Sequence, residues 1–181
     1  MAELFHDAGA GVSSPFGPPA AAAARGAAFA ELLLSSHLAL TGRPLCPPHW
    51  TSPHEAARWL YADAPFGLLA HGPGPDPTFC YANRTAQQCF GYSWEEFTAM
   101  PSRLSASSHH QEDRDDFVRA AHEHGFADGY TGLRMTRTGE EFWIKDVTMW
   151  DLLGPEGDNR GQAAVFRDWS PPVRPMSTDA G

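Results

Sequence analysis

Basic residues are scarce in this 181-residue sequence: 13 Lys and Arg stand against 22 Asp and Glu, and the formal net charge is -9. Proteins that bind nucleic acids neutralise phosphates with Lys and Arg, so this balance argues against DNA or RNA as a partner. An anionic membrane surface would repel so acidic a protein, and no apolar run approaches the ~20 residues of a membrane-spanning helix. We therefore expect neither a nucleic-acid partner nor a membrane partner.

Cysteine is also rare, with three residues at Cys46, Cys80 and Cys89. An odd number at wide spacing does not suit a disulfide framework and favours buried thiols in a reducing compartment. The N-terminus carries early acidic residues and no basic segment before an apolar stretch, so it is not a secretory signal. We expect a cytoplasmic protein, with an organelle such as a plastid as the alternative if the Ala-rich tract at 20–24 is a targeting segment.

Motifs of known enzymes are missing. The sequence has no G-x-S-x-G nucleophile elbow, no Walker loop and no dinucleotide glycine fingerprint between a strand and a helix. His109, His110, Glu112 and Asp113 cluster, but their spacing matches no zinc pattern, and acidic residues in a first helical turn complement the helix dipole. We predict a protein without catalytic residues and without a metal site.

What the sequence does contain is typical of a folded protein, because 42% of its residues are hydrophobic and 12% are aromatic. Apolar residues recur at helical spacing from Phe29 to Leu40, and Ser52 opens a second helix with a capping-box pattern. The predicted organisation is a flexible leader at 1–26, an N-terminal helical extension at 27–62, one domain at 63–170 and a disordered tail at 171–181.

The domain pattern changes from strands to helices and back to strands. The predicted strands are residues 66–70, 78–82, 130–136, 141–152 and 162–168. Short helices begin between them at Asn83, Ser93 and Ser108, and each of these residues is a good N-cap. This order predicts an α+β fold with a five-stranded antiparallel sheet and short helices packed on one face. The strand at 141–152 is apolar on both faces, so its second face should meet the N-terminal helix or a second subunit.

Several stretches resemble known families. Residues 83–86, 90–97 and 139–142 resemble the PAS class, in which a strand leads into short helices and the chain closes with antiparallel hairpins. Residues 101–106 and 125–134, together with Gly161–Phe166, resemble more closely the MEKHLA domain, and this similarity runs from about residue 29 to 169. The resemblance implies a PAS-like fold and a sensor of light, oxygen, redox state or a small molecule. The chain looks like the stand-alone form of this domain rather than the form attached to plant homeodomain-leucine-zipper regulators.

PAS ligands bind between the sheet and the short helices, and the resemblance implies a similar pocket here. The residues expected to line it are Leu69, Phe90, Trp94, Phe97, Arg103, Leu104, Phe117, Arg134, Ile144, Thr148 and Phe166. Ordinary core packing is the alternative for each apolar member. Arg103 and Arg134 are the polar candidates, since a guanidinium can clamp a carboxylate or a phosphate, although a surface salt bridge is the alternative for both.

The PAS class includes flavin-binding and haem-binding members, and the sequence does not name the ligand of this chain. Light-sensing members use a cysteine that attacks flavin, but Ser102 lies at that position and lacks the nucleophilic sulfur, which argues against a flavin adduct. Non-covalent flavin stays open. Haem would need an axial histidine from the long helix, where His109, His110, His122 and His124 lie on or near the helix. His122 and His124 point in different directions, so at most one could face a pocket, and we do not expect haem.

Two functions follow from these observations. The first is a non-catalytic sensory or regulatory module that binds a small ligand or a protein partner and signals through association. Its expected partners are a second copy, bound through the sheet face and the N-terminal helix, and an effector protein. The second is a purely structural dimerisation domain with a filled core. A cavity of several hundred cubic ångströms would favour ligand binding, and a tight core with a large exposed apolar patch would favour association.

Overall fold

The computed structural model describes residues 26–47, 52–106 and 111–174. Five strands form a single antiparallel sheet in the order β2-β1-β5-β4-β3. The strands are β1 (Gly67–His71), β2 (Phe79–Ala82), β3 (Phe126–Met135), β4 (Glu141–Leu153) and β5 (Asn159–Trp169). The helices are α1 (Ala27–Thr41), α2 (Pro53–Ala62), α3 (Arg84–Phe90), α4 (Trp94–Thr98) and α5 (Gln111–His124), with a 3-10 turn at Ser102–Ser105. The predicted α+β fold is confirmed.

Side-chain caps set where the short helices begin. The Asn83 and Ser93 side chains accept hydrogen bonds from backbone N–H groups of the first turns of α3 and α4. Ser93 also takes part in a complete capping box, and Ser52 caps α2 with a proline at the first helical position. These three caps are confirmed. The cap predicted at Ser108 lies outside the described residues.

The sheet packs on both faces. The inner core, between the sheet and helices α3 to α5, consists of Leu69, Phe79, Ala82, Ala86, Phe90, Phe97, Phe142, Ile144, Val147 and Phe166. The outer core joins α1 and α2 to the opposite face and includes Phe29, Leu33, Leu60, Leu68, Tyr81, Trp94, Trp150, Leu152 and Val165. Both cores remove apolar surface from water, and each Å² of apolar surface buried stabilises the fold by about 25 cal/mol.

Helix α1 lies against β4, which explains why that strand is apolar on both faces. The His37 ring meets the Trp150 ring edge-on, with 4.7 Å between centroids. The Ser36 hydroxyl accepts a hydrogen bond of 2.9 Å from the backbone N–H of Leu153. Of the two occupants expected for this face, the N-terminal helix is the one that covers it.

The strand ends differ from the predicted ones where the sheet is irregular. β3 begins at Phe126 rather than 130, because the pairing with β4 shifts register between Ala127 and Tyr130 and so accommodates the turn-like Asp128-Gly129. At the other end, the tail was predicted to begin at 171. Val173 nevertheless forms an antiparallel bridge with Glu141. Residues 1–25 of the predicted leader and residues 175–181 of the predicted tail lie outside the described ranges.

Candidate functional site

A small cavity of about 40 Å³ lies inside the inner core, between the sheet and α5. Five of the residues expected to line a pocket do line this cavity: Leu69, Phe117, Arg134, Ile144 and Phe166. Leu69, Ile144 and Phe166 point from β1, β4 and β5 to the inner face of the sheet, and Phe117 approaches from α5. The Phe117 ring is partly buried and stacks on the Tyr130 ring at 4.5 Å.

The other expected residues lie elsewhere. Phe90 and Phe97 belong to the inner core but pack edge-on against each other, so aromatic neighbours fill the space that a ligand would need. Trp94 turns to the outer core and meets the Tyr81 ring at 5.9 Å. Thr148 points away from the cavity and donates a 2.6 Å hydrogen bond to Asp128. Phe90, Phe97, Trp94 and Thr148 therefore do not line the interior cavity.

Leu104 and Arg103 lie on the 3-10 turn, outside the inner core. The Leu104 side chain is exposed. Arg103 forms an exposed ion pair with Asp76 at 3.0 Å, the salt bridge that sequence analysis considered as an alternative. Exposed pairs of this kind contribute only about 0–1 kcal/mol to stability. Arg103 therefore lies at the protein surface, where it lines a cleft beside the cavity.

A second, larger space adjoins the cavity at the protein surface. This outer cleft has a volume of about 740 Å³ and is bounded by the loop from His71 to Pro77, the 3-10 turn and α5. The outer cleft and the interior cavity share three wall residues, which are His71, Arg114 and Gln162. The two spaces therefore meet at a polar wall. Small-molecule sites typically measure about 300–1,000 Å³, a range that includes the cleft but not the cavity.

Arg134 enters the interior cavity from β3 as a buried cation. Only 6% of the residue is exposed, and one guanidinium nitrogen donates to its neighbour's backbone carbonyl, that of Leu133, at 3.0 Å. The guanidinium carbon lies 5.5 Å from the centroid of the Tyr130 ring, a cation–π contact. Burial lowers the pKa of Arg134, yet a guanidinium stays charged at neutral pH. Within the described ranges, no carboxylate forms an ion pair with it.

Arg114 enters the same cavity from α5, and sequence analysis did not select it. Its side chain is 10% exposed and donates to Asp115 at 2.9 Å and to the buried Ser102 hydroxyl at 3.0 Å. The acidic residues around it suggested a helix face in water. The signal that identifies it is its spacing, because Arg114, Phe117 and Ala121 lie three and four residues apart and so share one helix face.

His71 provides a hydrogen-bond acceptor at the wall between the two spaces. Its Nδ1 lies 2.8 Å from the Gly72 carbonyl oxygen, which requires Nδ1 to donate. Burial lowers the pKa of His71, and the nearby Arg114 charge acts in the same direction, which favours the neutral ring. Nε2 then keeps its lone pair, and among the described residues it has no hydrogen-bond partner. Gln162 completes the wall and donates to Asp151 at 2.9 Å.

The interior cavity does not fit the cofactors of the PAS class. A flavin ring system needs far more space than about 40 Å³. Ser102, at the position of the reactive cysteine, is buried and already engaged by Arg114. His122 and His124 are exposed on α5, where His122 faces Asp151 at 3.4 Å and the outer cleft. His109 and His110 lie outside the described residues, and the described part of the chain contains no cluster of three or more metal-ligating side chains.

The cysteines differ in exposure, and none of the three forms a disulfide. Cys80 is buried, and burial raises its pKa to about 12; Cys89 is partly buried, with its pKa raised to about 11. Burial also raises the pKa of Cys46. Because only the thiolate reacts, we expect iodoacetamide to modify Cys89 at pH 7.5 about 100-fold more slowly than free cysteine. Peptide mass spectrometry over a time course measures this rate, and the urea-unfolded protein should react like free cysteine. Rapid labelling of native Cys89 would contradict the burial described here.

Comparison with known proteins places the chain in a family and a fold. The MEKHLA domain family model matches residues 27–171. No curated protein matches the sequence. The fold is similar to the PAS domain of a protein from Colwellia psychrerythraea, at 18% identity and a TM-score of 0.51, over 58% of this chain and 86% of that chain. It is also similar to an RNA-binding light-oxygen-voltage receptor, at 19% identity and a TM-score of 0.58, over 70% of this chain and 36% of the receptor.

Proposed function

Since this chain belongs to the MEKHLA domain family and has a PAS-like fold, we propose that it is a sensory module that binds a small molecule in the outer cleft. The observation that carries this proposal is the cleft of about 740 Å³ that meets a cavity with buried polar groups at its wall. Small-molecule sites combine such a volume with a few well-placed polar groups. The non-catalytic character of the module, and its cytoplasmic location, stay predictions.

The cleft suggests how binding would be transmitted. One wall is α5, and the other is the loop that joins β1 to β2, so a ligand between them would hold a helix against the sheet edge. A ligand shifts a conformational equilibrium only by its different affinities for the two states. We expect the bound state to fix the position of α5, and an effector protein would detect that position.

Association through the sheet face is less well supported than ligand binding. Helix α1 already covers much of that face, and among the described residues the exposed large apolar side chains are Leu38 on α1, Leu104 on the 3-10 turn, and Trp143 and Val173 near the start of β4. A homodimer would have two exposed apolar surfaces to use: the outer side of α1, where Leu38 is 51% exposed, and the start of β4 at Trp143. Within the described ranges, no helix is long and apolar enough to cross a membrane.

Native mass spectrometry together with an absorption spectrum tests the proposal on protein purified without added cofactor. We expect a small molecule to co-purify, and we expect Val118→Trp, which fills the cleft from α5, to lose it. Leu38→Trp, on the exposed side of α1, is the matched control and should keep it. A bare protein mass, with no binding from a library of small metabolites, would disprove ligand sensing and favour the structural dimerisation domain.

A further inference from the structure

We propose that the interior cavity holds the anionic group of an acidic small molecule, with its carboxylate or phosphate between Arg114 and Arg134. The inference rests on the proposed function and names the chemical class of its ligand. Arg114 comes from α5 and Arg134 from β3, so two separate elements direct guanidinium groups into one small space.

Arg134 has no counter-charge among the described residues. A charge taken out of water is costly unless it is paired, and Arg134 is 6% exposed. Its contacts are the carbonyl of Leu133 and the face of Tyr130, and neither carries a negative charge. A bound anion would supply the missing charge and accept the remaining N–H donors. A carboxylate or a phosphate can accept two parallel N–H···O hydrogen bonds from one planar guanidinium group.

The surrounding charges do not neutralise the cavity either. The carboxylate that pairs with Arg114 belongs to Asp115, whose side chain is 64% exposed and lies on the water side of α5. Asp151 is buried nearby, but its oxygens meet the Gln162 amide and His122. The described groups that line the cavity therefore leave an excess of positive charge, which favours an anion over a neutral or cationic ligand.

The size of the cavity limits what part of the ligand it holds. A volume of about 40 Å³ is a small space, although a single water molecule needs only about 10–15 Å³ by a comparable measure. This space suits a single small acidic group and not a ring system. The rest of the molecule would extend past His71, Arg114 and Gln162 into the outer cleft. His71 lies at that wall, and its buried Nε2 has no hydrogen-bond partner among the described residues.

Thermal unfolding of the full chain with two probes tests the assignment. The probes are sodium succinate and inorganic phosphate, each compared with sodium chloride at equal ionic strength. At a concentration of 100 Kd we expect the wild-type Tm to rise by about 5–10 °C. Arg134→Met should abolish the rise and leave the Tm without ligand equal or higher, since it removes a buried unpaired charge. Arg58→Gln removes the same charge from an exposed site on α2 and should respond like the wild type.

The outcomes separate the ligand classes. A rise with succinate alone identifies a carboxylate, and a rise with phosphate alone identifies a phosphate. If Arg134→Met fails to fold, Arg114→Gln takes its place, and isothermal titration should show its affinity reduced at least about 10-fold, the loss expected for one charged hydrogen bond. No rise above chloride, or a rise that persists in Arg134→Met, would overturn the inference. A neutral co-purifying molecule would overturn it too, while the proposed function would stand.

Discussion

Replacing Asn83 with Ala is expected to lower the free energy of unfolding by about 4 kcal/mol, because its side chain makes four buried hydrogen bonds of about 1 kcal/mol each. Its Oδ1 accepts from the backbone N–H groups of Leu68 and Ala86, at 2.9 and 3.0 Å. Its Nδ2 donates to the carbonyls of Leu60 and Phe66, at 3.2 and 2.8 Å. Asn83 thus joins α2, the start of β1 and α3.

Urea denaturation followed by circular dichroism measures this loss. Ser93→Ala is the matched control, because Ser93 is also an N-cap but is exposed at the surface, and it should lose only about 1 kcal/mol. The difference between the two variants gives the contribution of the bonds that Asn83 makes beyond its own helix. Equal losses in both variants would show that Asn83 acts as an ordinary cap.

Leu33→Ala is expected to lower the free energy of unfolding by about 3 kcal/mol, the cost of a cavity left by a buried leucine. Leu33 is fully buried in the outer core, where α1 covers the sheet. Leu38 is 51% exposed on the same helix, so Leu38→Ala should change the stability by less than about 0.5 kcal/mol. The same denaturation experiment measures both variants.

This pair tests whether α1 is part of the folded domain. A single cooperative transition with a lower midpoint for Leu33→Ala is the expected result, because α1 and the sheet share one core. If Leu33→Ala keeps the wild-type midpoint, α1 does not pack on the sheet as described. The surface of β4 around Trp150 would then be available to a second subunit, as one reading of the sequence allowed.

Sequence reasoning found the apolar wall of the cavity more easily than its polar one. The resemblance to PAS pockets implied Leu69, Ile144 and Phe166, and the structure places all three on the inner face of the sheet. Arg134 was found through the resemblance to PAS pockets. Arg114 was missed because it lies among acidic residues that indicate a helix face in water. Its burial depends on Ser102, twelve residues earlier, which accepts its hydrogen bond.

The sequence by itself determined the elements and their order. N-caps at Ser52, Asn83 and Ser93 act within four residues, and the periods of helix and strand need only the neighbouring chain. The five strands and their antiparallel arrangement followed from these local signals. The family resemblance followed too, since its motifs are contiguous stretches of the chain.

Only the tertiary structure decided which distant groups meet. It placed α1 on the second face of β4, turned Trp94 to the outer core and brought Arg114 and Arg134 to one cavity. The physical reason is that such contacts depend on packing between elements far apart in the chain, where the best fit of volumes and charges selects one arrangement among several. Local sequence patterns do not determine which of these arrangements is selected. The burial of a charged residue such as Arg114 is therefore seen only in the assembled fold.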